Sequence, residues 1–411
     1  MLSKTSVHSK ILKLRSLAKA SATARAMSTS VAQPKVITEY LSDEVFEFVM
    51  NNPRKHNAID LDMYDMLWQQ LRKWENQEQP TPKVIFVKGA GGQAFACGGD
   101  VVSIYEGSLV GQHAPILTEF FYKEYILDYA LTQMKPIQIS VWNGIVMGGG
   151  VGISSLSPIR IATEKTIYAM PETAIGFFTD VGGSYFLSRL NNNISLGLFL
   201  GITGHRLKAK DLLKWGVATN YVETSNLPSL YEDVVKHTTQ DTSLEQIKEI
   251  VDRYSDNDVS ELTIPEETIN YCFAPKPIHT IVQRLTEVVQ GEVEGLDSDF
   301  ASYWLEAIRK FSPISCGVVT EQILRGQHMN LEDVFKMEYS LARRFAQHGE
   351  FFEGVRALLV DKDQNPKWAH SCIEEVTQEE IDAFFERYED LPTDLPKLYR
   401  DDIQFNESDF Q

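Results

Sequence analysis

The chain has 411 residues, of which 43% are hydrophobic and 23% charged, and a formal net charge of −18. That is the composition of a soluble globular protein, long enough for one large domain or two ordinary ones. It contains no apolar run of about 18 residues, the length a membrane-spanning helix needs. The four cysteines, Cys97, Cys272, Cys316 and Cys372, form no Cys-x-x-Cys pair and suggest neither a zinc centre nor a disulfide framework.

Residues 1–35 read as a mitochondrial transit peptide. Lys4, Lys10, Lys13, Arg15, Lys19, Arg25 and Lys35 stand among many Ser, Thr and Ala residues, and no acidic residue precedes Glu39. Ile11, Leu12, Leu14 and Leu17 interleave with these bases, giving a helix with one apolar and one basic face, while the unbroken apolar stretch of a secretory signal is missing. The expected compartment is the matrix. Cleavage near Met27 removes six basic residues and takes the net charge to about −24. So acidic a surface argues against direct binding of nucleic acid.

After the leader, β-branched and aromatic runs at Val45–Met50, 84–88, Ile137–Trp142 and 159–163 predict strands. Leu61–Glu75, behind an Asp60 N-cap, and residues 116–131 predict helices between them. Alternating strands and helices indicate an α/β core over residues 36–225. Beyond it the strand pattern stops, and 244–254, 277–290, 301–311, 316–325 and Leu331–His348 all read as helices. Residues 226–411 are therefore expected to form a mainly helical region packed on the core.

The chemistry is concentrated between residues 94 and 190. Ala94-Phe95-Ala96-Cys97-Gly98-Gly99-Asp100 follows a strand, and a Gly-Gly turn there leaves a backbone N–H open to a close ligand. Asn143-Gly144 and Gly148-Gly149-Gly150 lie between the next strand and an apolar helical start. Consecutive glycines cost a helix about 1 kcal/mol each relative to Ala, so the backbone is expected to meet something closely. Two such loops supply two donors, the number that holds a developing oxyanion. His56 and His113 have no nucleophile or metal-spaced partner in sequence and read as ordinary side chains.

In order and spacing, Asn52-Pro53-Arg54-Lys55-His56-Asn57-Ala58, Phe95-Ala96-Cys97-Gly98-Gly99-Asp100, Asn143-Gly144 with Gly148-Gly149-Gly150, and Met170-Pro171-Glu172 resemble the crotonase, or enoyl-CoA hydratase/isomerase, superfamily. The resemblance implies a crotonase-like spiral of ββα units and an acyl-CoA thioester substrate, with the amides of Gly99 and Gly149 as oxyanion hole. It also places Lys55, His56 and Ala58 near the coenzyme A nucleotide. Hydratases of the family carry a glutamate two residues after the triple glycine, and here that position is Gly152. Glu172 with Asp180, and Glu124 in Phe121-Tyr122-Lys123-Glu124-Tyr125, instead resemble the branch that hydrolyses 3-hydroxyisobutyryl-CoA in mitochondrial valine breakdown, as do Met337-Glu338-Tyr339 and Phe352-Glu353-Gly354-Val355-Arg356-Ala357. Thr179 stands where that branch usually has Pro.

A thioester carbonyl must be polarised and attacked, and its thiolate leaves with little acid help. Glu172 is expected to attack as nucleophile, with Asp180 orienting the reacting group or the water; Glu172 as general base on water is the alternative. Glu124 is expected near the substrate hydroxyl, although its place on an acidic helical face also fits a surface role. Asp180 could equally be the N-cap of the helix running toward Leu190. No metal or redox cofactor is implied, coenzyme A being part of the substrate. Two rival readings stay open. One is a scaffold of the same fold on the mitochondrial ribosome, alone or in addition to catalysis, with self-association into a homo-oligomer undetermined. The other is an enoyl-CoA hydratase or isomerase, which Gly152 argues against.

Overall fold

Ten strands divide between two sheets in the computed structural model, which describes residues 33–110, 115–260 and 265–386. Residues 1–32 of the leader and His113 lie outside these residues. The elements below belong to the Lys35–Gln411 unit. The strands are β1 (Val36–Tyr40), β2 (Val45–Met50), β3 (Val84–Gly89), β4 (Ala94–Cys97), β5 (Ile137–Trp142), β6 (Ile145–Met147), β7 (Ile159–Ala162), β8 (Ile167–Ala169), β9 (Leu207–Lys208) and β10 (Asn220–Tyr221).

The first sheet has the order β1-β2-β3-β5-β7-β10, the second β4-β6-β8-β9. The chain passes from β3 to β4, from β5 to β6 and from β7 to β8, entering the large sheet and then the small one, with helical segments between successive pairs. This is the expected spiral of ββα units. Apart from the β1–β2 and β8–β9 pairs, all pairings are parallel. Parallel strands covered on both faces read as near-continuous apolar runs, which is why β2, β3 and β5 were legible. Val84 and Phe86 of β3 face the helices Leu227–His237 and Leu244–Asp252, while Ile85 and Val87 face the main core. Asp60 caps Leu61–Glu75 as predicted, its carboxylate accepting from the Met63 amide at 3.1 Å.

Strands β4, β6 and β8, of three or four residues each, were not predicted. They are too short to show an alternation of their own and derive their stability from each other. The five helices predicted in the second half fall where expected, within a few residues, while Leu227–His237 was not predicted. Among the described residues no helix is long and apolar enough to cross a membrane.

The helical second half does more than cover the core. Glu338, buried in the middle of Leu331–His348, accepts from the amides of Gly182 (2.7 Å) and Ser184 (2.9 Å), 156 and 154 residues earlier. Gln322, on Pro313–Gly326, donates to the Thr179 carbonyl and hydroxyl. The Ser312 amide donates to the Thr173 carbonyl at 3.2 Å. The segment 172–184 is thus held from the C-terminal helices. Glu338→Ala strands two buried amides, and at about 1–3 kcal/mol for each unsatisfied group it should lower unfolding stability by about 2–6 kcal/mol, measured in urea.

Candidate active site

Strands β4, β6 and β8 run parallel with Cys97, Met147 and Ala169 in register at their C-terminal ends. The next residues along each strand therefore emerge side by side at one edge: Gly98-Gly99, Gly148-Gly149, and Met170-Pro171-Glu172. Three motifs separated by dozens of residues meet because the small sheet aligns them. Gly98 (φ 82°) and Gly148 (φ 46°) have left-handed backbones that favour glycine and turn each strand sharply.

Gly149 opens a short helix, Gly149–Gly152, so its N–H has no acceptor within that helix. Neither it nor the Gly99 N–H donates to a carbonyl of the flanking turns. The two loops touch: a Cβ placed on Gly149 would lie 3.4 Å from the Gly99 nitrogen, 2.9 Å from the Tyr64 hydroxyl and 2.6 Å from Glu124 Oε1. The glycines were expected to precede a helical start, but they are themselves the helix. Close approach of β4 and of the helix Pro115–Thr132 leaves no room for side chains at its three glycines.

Glu172 begins the 3-10 turn Glu172–Ile175 just past β8. It is buried, and its Oε2 has no hydrogen-bond partner. Burial, reinforced by the charge of Asp180, raises its pKa well above the carboxylate range. Asp180 is also buried and accepts from the Tyr125 hydroxyl at 2.8 Å. Burial pushes it up to about 7, against the pull of that hydrogen bond. The residue after it, Val181, has φ 55°, a costly conformation for a β-branched side chain and a mark of a turn held from outside. Asp180 does not cap the following helix, Gly183–Leu187, whose N-cap is Gly182; the carboxylate that binds amides there is Glu338.

Glu124 does not lie on a solvated acidic face. It is 2% exposed, points inward from Pro115–Thr132, and accepts from the Tyr64 hydroxyl. Burial and Asp180 raise its pKa well above the usual range. The 52–58 loop lies against the Gly98-Gly99 turn: the Cys97 amide donates to the His56 carbonyl at 3.1 Å, and the Ile59 amide to the Gly98 carbonyl at 2.9 Å. Lys55 is half exposed and bonds Asp100 at 2.6 Å. His56 has a left-handed backbone (φ 50°), and the Ala58 amide donates to the Lys55 carbonyl. Glu124, Glu172, Asp180 and the two glycines therefore cluster, with Lys55, His56 and Ala58 at the outer side of the first glycine turn. Among the described residues no group of three or more His, Cys, Asp or Glu is arranged to hold a metal.

Tyr64, Tyr125, Gln322 and Glu338 were missed as site residues. Tyr125 adjoins Glu124 in sequence, and Glu338 sits in a segment noted only as shared with relatives; nothing local marked Tyr64 or Gln322. Tyr125→Phe removes the one side-chain hydrogen bond to Asp180, so the Asp180 pKa should rise from about 7. The acid limb of the kcat–pH profile is expected to move upward by about one unit, read from initial rates between pH 5 and 9.

The family model described as enoyl-CoA hydratase/isomerase matches residues 45–385. The chain is 40% identical over 342 residues to the mitochondrial 3-hydroxyisobutyryl-CoA hydrolase of Gallus gallus, covering 82% of this chain and 85% of that protein. It is likewise 40% identical over 343 residues to the Homo sapiens protein of the same name, with 82% and 84% covered. Among solved structures it is similar to a carnitinyl-CoA dehydratase from Mycobacterium thermoresistibile (TM-score 0.75, 27% identity, 88% of this chain and 98% of that one). It is similar also to an enoyl-CoA hydratase from Rhodobacter sphaeroides 2.4.1 (TM-score 0.74, 26% identity, 86% and 97%). With the spiral fold and the paired glycine loops, these matches make the chain a member of the enoyl-CoA hydratase/isomerase family.

Proposed function

We propose that the chain hydrolyses the thioester of 3-hydroxyisobutyryl-CoA to 3-hydroxyisobutyrate and CoA, as the names of its relatives state for those proteins. The observation that carries this reading is Glu172, a buried carboxyl with an unpartnered oxygen beside two unpaired glycine amides. Position 152 has no side chain, so no second acid from that loop is available for adding water across a double bond.

The Gly99 and Gly149 amides hold the thioester oxygen and stabilise the charge that develops on it. Ionised Glu172 attacks the carbonyl carbon; the C–S bond breaks and the thiolate leaves with the electron pair, taking a proton from solvent. A carboxylate raised by burial is more basic, hence a better nucleophile once ionised. Water then attacks the acyl carbon of the mixed anhydride and gives its proton to Asp180, and Glu172 is released with the acid product. Glu124 faces the same space and is the residue assigned to the substrate hydroxyl. Lys55, His56 and Ala58 are assigned to the CoA nucleotide side. No step calls for a metal or redox group.

The site of action is assigned to the mitochondrion, specifically the matrix, with residues 1–35 as import peptide followed by a catalytic core over 36–225 and a helical region over 226–411. The composition of the leader and the mitochondrial relatives support this. The test is thiol release from 3-hydroxyisobutyryl-CoA by protein lacking residues 1–27, with crotonyl-CoA hydration as control. Fast release without hydration is expected. A folded protein that releases no thiol would overturn the hydrolase and leave the ribosomal scaffold as the reading to pursue.

A further inference from the structure

The mechanism above leaves one buried acid unused. Asp128 lies one turn beyond Glu124 on the same face of Pro115–Thr132. It is fully buried, and neither of its carboxyl oxygens has a hydrogen-bond partner. Its neighbours are better provided: Glu124 has the Tyr64 hydroxyl, Asp180 the Tyr125 hydroxyl, and Glu338 two backbone amides.

Its location ties it to both halves of the site. A Cβ on Gly152 would sit 2.3 Å from Asp128 Oδ2 and 2.8 Å from Val181 Cβ. The Asp128 carboxyl therefore occupies the space that any side chain at position 152 would need. It is wedged between the short helix that begins at Gly149 and the turn that follows Asp180. The groups facing it are Glu124 on its own helix, with Tyr125 beside it bound to Asp180; Tyr64 from Leu61–Glu75; Asp180 from the turn; and Glu338 from Leu331–His348. Among the charges that act on it none is positive.

Interacting acids titrate as a group, and a proton shared among them settles where the charged form has the fewest donors. In this group that place is Asp128. We propose that Asp128 is a positioning residue: its carboxyl keeps the proton of the buried acid group, so that the negative charge stays on Asp180, where the attacking water needs it. Burial, with the charges of Glu124, Asp180 and Glu338, acts in the same direction. The inference rests on the hydrolase reading for its consequence in rate, but the location of the proton does not depend on that reading.

Two measurements test it, using Asp128→Asn, which keeps the size and neutrality of the protonated acid, and Asp128→Ser as a second variant. In the wild type, ionisation of Asp128 at high pH places another charge against Asp180 and Glu124 and forms the alkaline limb of the kcat–pH profile. Both variants should move that limb upward by about one pH unit and leave the acid limb in place. An acid limb that moves down would mean that Asp128 is ionised in the working range, and coincident profiles would reduce it to a space filler; either result overturns the proposal. Infrared spectra at pH 7 should show the carbonyl stretch of one protonated carboxyl lost in the variants. Unchanged band intensity overturns the proposal whatever the protein's activity.

Discussion

Glu172→Gln is expected to lower kcat for thiol release by about 10³-fold or more while the affinity for acyl-CoA stays within about threefold. Glutamine keeps the length and polarity of the side chain and removes the charge that attacks. Binding is spread along the CoA moiety, away from this residue. Stopped assays of thiol release give kcat, and calorimetric titration with a non-hydrolysable CoA thioether gives the affinity. An equal loss in both would make Glu172 a binding residue only. The same variant carries a stability signature. Because the folded-state pKa of Glu172 is raised, the folded protein holds that proton more tightly than the unfolded chain does. Its contribution to stability is complete below the unfolded pKa and is lost as pH rises through the folded one. The variant has no such proton to lose, so its stability should fall less than the wild type's between pH 5 and 8.

Gly149→Ala should reduce kcat by about 10²-fold, the effect of misplacing one oxyanion donor. The new methyl group would meet Glu124 Oε1 at 2.6 Å and the Tyr64 hydroxyl at 2.9 Å. Those two atoms are bonded to each other and buried, so the glycine helix must retreat and take its amide with it. At Gly99 the corresponding methyl meets the Phe120 ring at 2.7 Å, and that ring is itself buried and packed against Tyr64 and Phe121. A loss of similar size is expected there. Circular dichroism of the two variants separates a displaced amide from an unfolded protein. Equal activity of Gly149→Ala and wild type would remove the Gly149 amide from the mechanism.

Some of this was legible in the sequence for physical reasons. β2, β3 and β5 are buried on both faces and therefore mostly apolar, and Leu61–Glu75 carries its own cap and stripe. The glycine pairs and Pro171-Glu172 stand out because their residue types are costly unless something requires them. What stayed hidden depends on tertiary register. Nothing near Cys97, Met147 or Ala169 announces that three- and four-residue strands will align them. Glu124 sits in a helix dense with charge and aromatic rings, and local sequence cannot tell its buried face from a solvated one. The partner of Asp180 is residue 125, and those of its turn are residues 322 and 338; such distances in sequence leave no local trace.

The grip of Glu338 on the amides of Gly182 and Ser184 also sets an order in time. The glycine loops and Glu172 all lie in the first half of the chain, but the strained turn that carries Asp180 lacks its Gln322 and Glu338 anchors until Pro313–Gly326 and Leu331–His348 exist. A chain growing from its N-terminus therefore builds the pocket early and completes it late. A fragment ending before residue 338 can present the surface that holds a thioester while lacking the fixed base that finishes the reaction.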